Sequence, residues 1–432
     1  MRASPNPLVP PAIQPSSHPA IPDNNQADGT ASATGIPLRN PRNTKDSPVL
    51  RRTTSAPVAE GVASLADSAR PVRIGIIGSG GIAGAHADSY KQIPEAEVVA
   101  VCDVVPGRAQ AFIDRYGFTA TPYEDHRRML ESDIDAVSVC TFNMAHHQPT
   151  VDALRAGKHV LLEKPMAADL PQAVEMAEAA ERAHRILSIG FQSRYDPDVM
   201  LCKRVVDSGR LGKVYYVETG GGRRRGIPGG SFIRKETAGG GAILDIGCYS
   251  IDTVMHLLGH PRPLTVSAMT GNLFGRSKAY VAAQGAGWGG GWDADAFAVE
   301  DFGAAFVRLE GDITFVFKIS WAAHTDSLGK AQFLGDQAGL QIEASGGLGD
   351  AGVQAIALFH NEDGSPARTE LPVSGRRRGV NTFLRKVQEF VHAVQAGGPA
   401  PIPGSQVVRS MAIIDGIYRS AQRGREVEVP AV

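Results

Sequence analysis

Four cysteines in 432 residues (Cys102, Cys140, Cys202 and Cys248), none at paired spacing, leave neither a disulfide framework nor a zinc-ligand pattern. That usage suits a reducing cytoplasm, and no metal site is expected. Lysine plus arginine (44) and aspartate plus glutamate (45) nearly cancel, for a net charge of −1. Without a basic surplus the chain lacks the electrostatic footprint of a nucleic-acid binder. No stretch reaches the roughly 18 consecutive apolar residues that a membrane-spanning helix needs. The first 70 residues contain no phenylalanine, tyrosine or tryptophan, yet hold 11 of the 28 prolines. Such a segment buries too little apolar surface to offset its ordering entropy, so residues 1–70 read as a disordered tail with no chemistry expected of them. Arg51-Arg52 has the look of a twin-arginine signal, but no apolar run of about 7–15 residues follows it. Export is therefore not expected.

What is present is an ordinary globular composition, 43% apolar and 21% charged, long enough for two domains. Val72, Ile74, Ile76 and Ile77 form a β-branched run of the kind buried in parallel sheets. It leads directly into Gly78-Ser79-Gly80-Gly81-Ile82-Ala83-Gly84 and then a helical stretch. This is the dinucleotide fingerprint, with Ala83 in place of the third glycine. Gly78 permits the tight turn, Gly80 lets backbone approach a pyrophosphate, and Ala83 allows helix to pack on strand. The helix is read over 86–92, its N-terminus facing the phosphates, with Gly81 and Ile82 among the expected cofactor contacts. A second apolar strand over 97–102 ends at Asp103, 20 residues after Ala83. A carboxylate there accepts the adenosine ribose hydroxyls and repels a 2′-phosphate, which favours NAD over NADP. Arg108 keeps NADP open as the alternative.

The βα rhythm continues. A strand over 136–140 runs out into Thr141-Phe142-Asn143-Met144-Ala145-His146, beyond the carboxyl end of a parallel strand, where ligands bind. Thr141, Asn143 and His146 are thus expected toward the nicotinamide, although a lone histidine is as readily a buried structural one. The strand over 159–162 ends in Glu163-Lys164-Pro165. A lysine at that rim, desolvated, is expected to have its pKa lowered toward neutrality and to serve as proton donor or acceptor. Pro165 restricts Lys164 to extended backbone and raises the odds of a cis bond.

Together these segments resemble the Gfo/Idh/MocA oxidoreductases. The match extends through Ala156-Gly157-Lys158-His159-Val160, GFQSRYDP at 190–197, GGGAILDIGCYSID at 239–252, and Val299-Glu300-Asp301-Phe302. The resemblance implies Glu163 and Lys164 beside the cofactor and Lys164 as catalytic acid/base. It also implies Asp245 in the site, followed four residues later by a histidine. Here that position holds Tyr249, whose hydroxyl bonds a substrate oxygen but carries no positive charge near neutral pH. Arg194 and Tyr195 fall at the family's cleft position and are expected to contact substrate, as is Asp252. On a helix from Ala242, Asp245 and Tyr249 share one face and Asp252 reaches that side. Gly239, Gly240 and Gly241 are expected to bring backbone close to a ligand.

From residue 194 longer strands take over. Ile313, Phe315, Phe317, Ile319 and Trp321 alternate with Thr314, Val316, Lys318 and Ser320, a period-two strand with one packed face. The expected fold is α/β. A Rossmann domain (71–192) precedes a substrate-binding and oligomerisation domain (193–432) of α+β type, with a large, open-faced, mostly antiparallel sheet. The resemblance implies a homo-oligomer, dimer or tetramer, assembled through that face. Apolar stripes at 383–394 and 411–421 read as core-packing helices. Trp288 and Trp292 are in a Gly-rich stretch, a solvent-edge loop more readily than a sugar-stacking one. The triplets 223–225 and 376–378 read as solvated arginines, the first with the option of an anionic substrate group.

The expected activity is hydride transfer between nicotinamide and a secondary alcohol or ketone of a sugar, cyclitol or related polyol. Lys164 handles the proton, Asp245 supports it and Tyr249 bonds the reacting oxygen. Two rivals use the same residues: an NAD-dependent glycosidase working by transient oxidation and elimination, and a catalytically silent dinucleotide sensor.

Overall fold

The computed structural model describes residues 70–284, 291–325, 328–344, 348, 353–374 and 380–432. The tail over 1–69, Trp288 and the triplet 376–378 lie outside the described residues.

The first sheet has six parallel strands: β1 (Val72–Ile77), β2 (Ala96–Cys102), β3 (Thr121–Tyr123), β4 (Ala136–Val139), β5 (His159–Leu162) and β6 (Leu187–Ile189). They lie in the order β3-β2-β1-β4-β5-β6. Helices α1 (Gly81–Tyr90), α2 (Arg108–Tyr116), α3 (His126–Leu130), α4 (His147–Arg155) and α5 (Leu170–Ala183) link them. Side chains alternate across the strands and supply two cores. Val137, Val139, Val160 and Leu162 pack with Met129, Leu154 and Met176 from α3, α4 and α5. Val72, Ile74, Ile76 and Val101 pack with Ala83, Ala87, Phe112 and Ile113 from α1 and α2. The switch between β1 and β4 opens a crevice at the carboxyl ends of the strands, where the glycine turn lies.

Helix α6 (Pro197–Asp207) leads to a nine-stranded sheet. Its strands are β7 (Val214–Gly222), β8 (Pro263–Gly271), β9 (Phe302–Leu309), β10 (Ile313–Ser320), β11 (Ala331–Gly335), β12 (Gly339–Ala344), β13 (Val353–Glu362), β14 (Ser365–Leu371) and β15 (Val427–Glu428). The order is β14-β13-β12-β11-β7-β10-β9-β8-β15. Within this sheet, among the described residues, β7 and β10 pair in parallel and the other neighbours pair antiparallel. The expected α/β architecture with a second, mostly antiparallel sheet is the one observed. Between β7 and β8 run α7 (Lys235–Ala238), a π-helical turn (Ile243–Gly247) and α8 (Cys248–Leu257); α9 (Lys278–Gln284) follows β8. Phe315, Phe317 and Ile319 on β10 are fully buried, as the period-two pattern requires. Met269, Phe306 and Phe359 stand exposed on the opposite face.

The chain closes with α10 (Thr382–Ala396) and α11 (Gly404–Arg423). Both apolar stripes are buried, but they serve different sheets. Val387, Phe390 and Val391 of α10 join the core beneath α1 and α2. A division at residue 192 would assign α10 to the second part, whereas the chain returns it to the first sheet. Met411, Ile414 and Ile417 of α11 join the larger core shared with the second sheet. Among the described residues no helix is long and apolar enough to cross a membrane.

Candidate active site

The glycine turn meets the requirements of a dinucleotide. Gly78 has φ +87°, and a Cβ there would stand 2.9 Å from the Cys140 carbonyl, so no other residue fits. At Gly80 and Gly81 a Cβ would meet nothing within 4 Å, which leaves the backbone open to a phosphate group. Gly80 caps α1 and makes no side-chain cap hydrogen bond to the first-turn N–H groups, the donors that a phosphate takes at a helix N-terminus. Ala83 is fully buried against the sheet. Asp103 ends β2 with its Oδ2 accepting from Ser79 N–H (3.0 Å) and Ser79 Oγ (2.7 Å), and its Oδ1 from Val105 N–H (3.0 Å). Burial opposes ionisation of this carboxyl. The hydrogen bonds from Val105 and Ser79, with Arg108, outweigh it and hold the pKa below the usual range. Arg108 is exposed, 3.9 Å from Asp103 Oδ1.

Lys164 follows β5 across a cis bond to Pro165. Its Nζ donates to the main-chain oxygen of Asp245 (2.9 Å) and to Asp245 Oδ1 (3.2 Å). It also stands 4.6 Å from the centre of the Tyr249 ring. Asp245 is in the π-helical turn, 81 residues from Lys164 in sequence, and Tyr249 is in the first turn of α8, so both reach one lysine. A π turn adds a residue to the helical circuit and often marks a functional site. Trp321, just beyond β10, donates its indole N–H to Asp245 Oδ2 (3.1 Å), so each carboxylate oxygen has a partner. Gln192, in the turn after β6, donates from Nε2 to the Tyr249 hydroxyl (2.8 Å).

The electrostatics reverse one expectation. Burial alone would lower the Lys164 pKa, as its position in the sequence suggests. The Tyr249 ring lies against it and the Asp245 and Glu163 carboxylates bring negative charge to it, and the pKa stands well above the ordinary lysine value. Lys164 therefore holds its proton in this arrangement. Burial also raises Tyr249, against the opposing pull of Lys164, so its hydroxyl keeps its proton.

Other expected site residues are placed differently. His146 is 1% exposed; its Nδ1 lies 2.8 Å from the Pro165 oxygen and its Nε2 3.2 Å from the Thr141 oxygen. It fastens the segment beside Lys164 and presents no ring nitrogen to the crevice. Thr141 closes the same turn by donating to the Ala145 oxygen (2.9 Å). Asn143 donates to the Ala238 oxygen (3.0 Å), tying this turn to α7. Glu163 is buried and meets His86 Nε2 (2.8 Å) and Lys386 Nζ, so its carboxylate is engaged within the protein. Gly240 and Gly241 likewise admit protein. A Cβ on the first would strike the Tyr418 hydroxyl, and one on the second the Glu300 main chain. Glu300 Oε1 accepts from Gly241 N–H (2.9 Å), Ile243 N–H (3.1 Å) and the Tyr418 hydroxyl (2.9 Å), which holds the π turn in place. Trp292 is buried, its indole donating to the Gly275 oxygen (2.8 Å), and lies on no solvent edge.

Arg194 and Asp252 pair with each other. Nε donates to Oδ2 at 2.9 Å and one terminal nitrogen to Oδ1 at 2.8 Å, with side chains 5% and 0% exposed. The other terminal nitrogen donates to Gln406 (2.9 Å). A fully engaged, buried pair joins the 192–195 turn to α8 and offers no group to a substrate. Tyr195 is half-buried against the main core. Burial, then the Arg194 charge, pushes the nearby His256 and His260 down to about 4. A histidine kept neutral by the fold binds its proton more readily in the unfolded chain. These two groups therefore withdraw stability as pH falls from about 6.5 toward about 4. Melting temperature should drop across that interval; a value that holds steady would contradict their burial as neutral groups.

Residues 72–191 match the family described as oxidoreductase family, NAD-binding Rossmann fold. Residues 199–341 match the GFO/IDH/MocA C-terminal domain. The chain belongs to the GFO/IDH/MocA oxidoreductase family. It is 32% identical over 365 residues to D-glucoside 3-dehydrogenase of Escherichia coli K12, covering 83% of this chain and 98% of that protein. It is 37% identical over 148 residues to inositol 2-dehydrogenase/D-chiro-inositol 3-dehydrogenase of Lactiplantibacillus plantarum, covering 34% of this chain and 42% of that one. The structure of aldose-aldose oxidoreductase from Caulobacter crescentus, complexed with glycerol, superposes with a TM-score of 0.66 at 25% identity. It covers 83% of this chain and 100% of that one. The GFO/IDH/MocA match gives the glycine turn its ligand class, a nicotinamide dinucleotide.

Sequence reading missed Trp321 and Gln192 beside the site, and Glu300 with Tyr418 beneath it. Trp321 had left a signal: it ends the apolar register of β10, which aims it at the packed face.

Proposed function

We propose that this chain is an NAD-dependent dehydrogenase acting on a secondary hydroxyl of a sugar or cyclitol, with Lys164 as acid/base. The carrying observation is the convergence of Lys164, Asp245 and Tyr249 beside the crevice of the glycine turn. The relatives that act on glucosides and inositols support a polyhydroxylated ring as substrate. When bound, the dinucleotide supplies the hydride acceptor. The rest of the chemistry belongs to the side chains. Neutral Lys164 accepts the proton of the reacting hydroxyl; protonated, it returns that proton in the reverse direction. Asp245, held by Trp321, fixes the ammonium and balances its charge. Tyr249, receiving the Gln192 N–H, keeps its own proton for the substrate oxygen.

The test is a panel of hexoses, glucosides, inositols and aldonates with NAD, read as net NADH. NADH formed in proportion to substrate consumed supports the dehydrogenase; glycoside cleavage without net NADH, or no turnover at all, overturns it.

Because its surroundings hold the proton on Lys164, oxidation should accelerate as pH rises into the alkaline range. Asp245→Asn removes a negative charge that favours the ammonium, so the neutral base forms at lower pH. The alkaline limb of the oxidation profile should move down by about one unit. An unmoved limb would show that Asp245 does not govern this lysine.

Asp103 supports NAD over NADP, since its carboxylate repels a 2′-phosphate. Asp103→Ser should reduce the NAD-over-NADP preference in kcat/KM by about tenfold or more, with Arg108 left to receive the phosphate. A ratio that stays constant would contradict this role. The exposed Met269, Phe306 and Phe359 support assembly of two or four copies through the open sheet face.

A further inference from the structure

The role of Lys164 proposed above leaves a second buried lysine unexplained. Lys386 sits on α10, 223 residues from its partner, and pairs with Glu163 Oε1. The two side chains are only 1% and 4% exposed. Glu163 directly precedes Lys164, and its Oε2 accepts the Lys164 main-chain N–H (3.3 Å). We propose that Lys386 is a positioning residue for Lys164, acting through the Glu163 carboxylate.

The surroundings of Glu163 leave it little freedom. His86 Nε2 of α1 lies 2.8 Å from Oε1, while His86 Nδ1 meets Ser138 Oγ (3.1 Å), which in turn meets the Tyr90 hydroxyl (2.7 Å). A Cβ at Gly190 would come within 3.0 Å of Oε1, so the glycine makes room for the carboxylate. Lys386 Nζ stands 4.0 Å from the centre of the Phe383 ring on its own helix. A carboxylate this deeply buried stays ionised because a cation touches it. Burial raises the Glu163 carboxyl, but Lys386 first, and then His86, bring it far below the usual range. One cation on the closing helix thereby keeps a negative charge beside Lys164 and holds the backbone from which Lys164 projects.

The proposal rests on Lys164 as acid/base, and its test is arranged to fail separately from that reading. The groups facing Lys164 are Glu163 at the end of β5, Asp245, Cys248 and Tyr249 on the π turn and α8, and His146 beside Pro165. Removing the Glu163 charge from this set favours neutral Lys164. The full-length chain with NAD is compared with Lys386→Met, Lys386→Arg, Glu163→Gln and the double variant Lys386→Met/Glu163→Gln. The first readout is labelling of Lys164 by trace acetic anhydride at a pH of about 9, quantified by peptide mass spectrometry; it needs no turnover. Lys386→Met, Glu163→Gln and the double variant should each label about tenfold faster, equal to one pKa unit, with Lys386→Arg close to wild type. The second readout is sugar oxidation. Lys386→Met should lose about 10²-fold in kcat with KM nearly unchanged, as expected of a misplaced acid/base, and Lys386→Arg should recover most of it. Folded Lys386→Met with wild-type labelling and wild-type kcat would overturn the proposal. Should Lys386→Met not fold, unchanged labelling in the charge-neutral double variant would overturn it equally. A wild-type chain that oxidises no sugar would end the dehydrogenase reading, while the labelling still decides the role of Lys386.

Discussion

Lys164→Ala should lower kcat for sugar oxidation by about 10²–10⁴-fold, the range expected for loss of a positioned acid/base, while NAD still binds. The expectation follows from how the site is divided. The glycine turn, Asp103 and the N-terminus of α1 are contributed by residues 78–103, and none of their contacts involves the Lys164 side chain. Lys164 Nζ engages Asp245 and Tyr249, from the π turn and α8. Truncation should therefore separate dinucleotide affinity from turnover. Isothermal titration with NAD and steady-state kinetics on one preparation decide the matter. Turnover near the wild-type rate would remove Lys164 from the chemistry; a parallel loss of NAD affinity would assign it to cofactor binding.

Arg194→Met should act on stability. The substitution leaves the Asp252 carboxylate, fully buried and stripped of its bidentate partner, with no cation in contact. Breaking such a pair from one side costs about 3–5 kcal/mol, most of it the penalty of the orphaned charge. Denaturant unfolding should show that loss, and Arg194→Met/Asp252→Leu should recover part of it by removing both charges. The kinetic contrast matters as much. If Arg194 touched substrate, Arg194→Met would raise KM with little change in stability. That outcome would restore the cleft position as a contact and contradict the closed pair in the structure.

The legible parts of this protein were those encoded locally. The β1 run, the glycine turn and α1 are contiguous, and Asp103 lies one strand away, so the dinucleotide site could be read from spacing alone. Alternation along β10 likewise announced one packed and one open face. What escaped reading was long-range pairing. Trp321 reaches Asp245 across 76 residues, Gln192 reaches Tyr249 across 57, and Tyr418 reaches Glu300 across 118. Nothing in a linear pattern says which buried polar groups will meet. For that reason Arg194, Asp252 and Glu163, each polar and near a motif, were read as facing a ligand when other side chains engage them, and His146, left open between ligand and structure, lies against main-chain oxygens. The Lys164 pKa illustrates the same limit. Burial was foreseeable from β5, whereas the acidic neighbours that reverse its effect come from the π turn and α8. Lys386 had left a faint trace, a charge set among Phe383, Val387 and Phe390 on an otherwise apolar stripe.

The central claim is that this site removes hydrogen from a single carbinol carbon of a sugar or cyclitol and keeps it on the dinucleotide. It is tested most directly with a panel substrate that gives NADH, carrying deuterium at one ring carbon at a time. For one labelled position the account predicts NADH heavier by one deuterium, with the signal lost in Lys164→Ala. Product formed while the NADH carries no deuterium from any labelled position would contradict it.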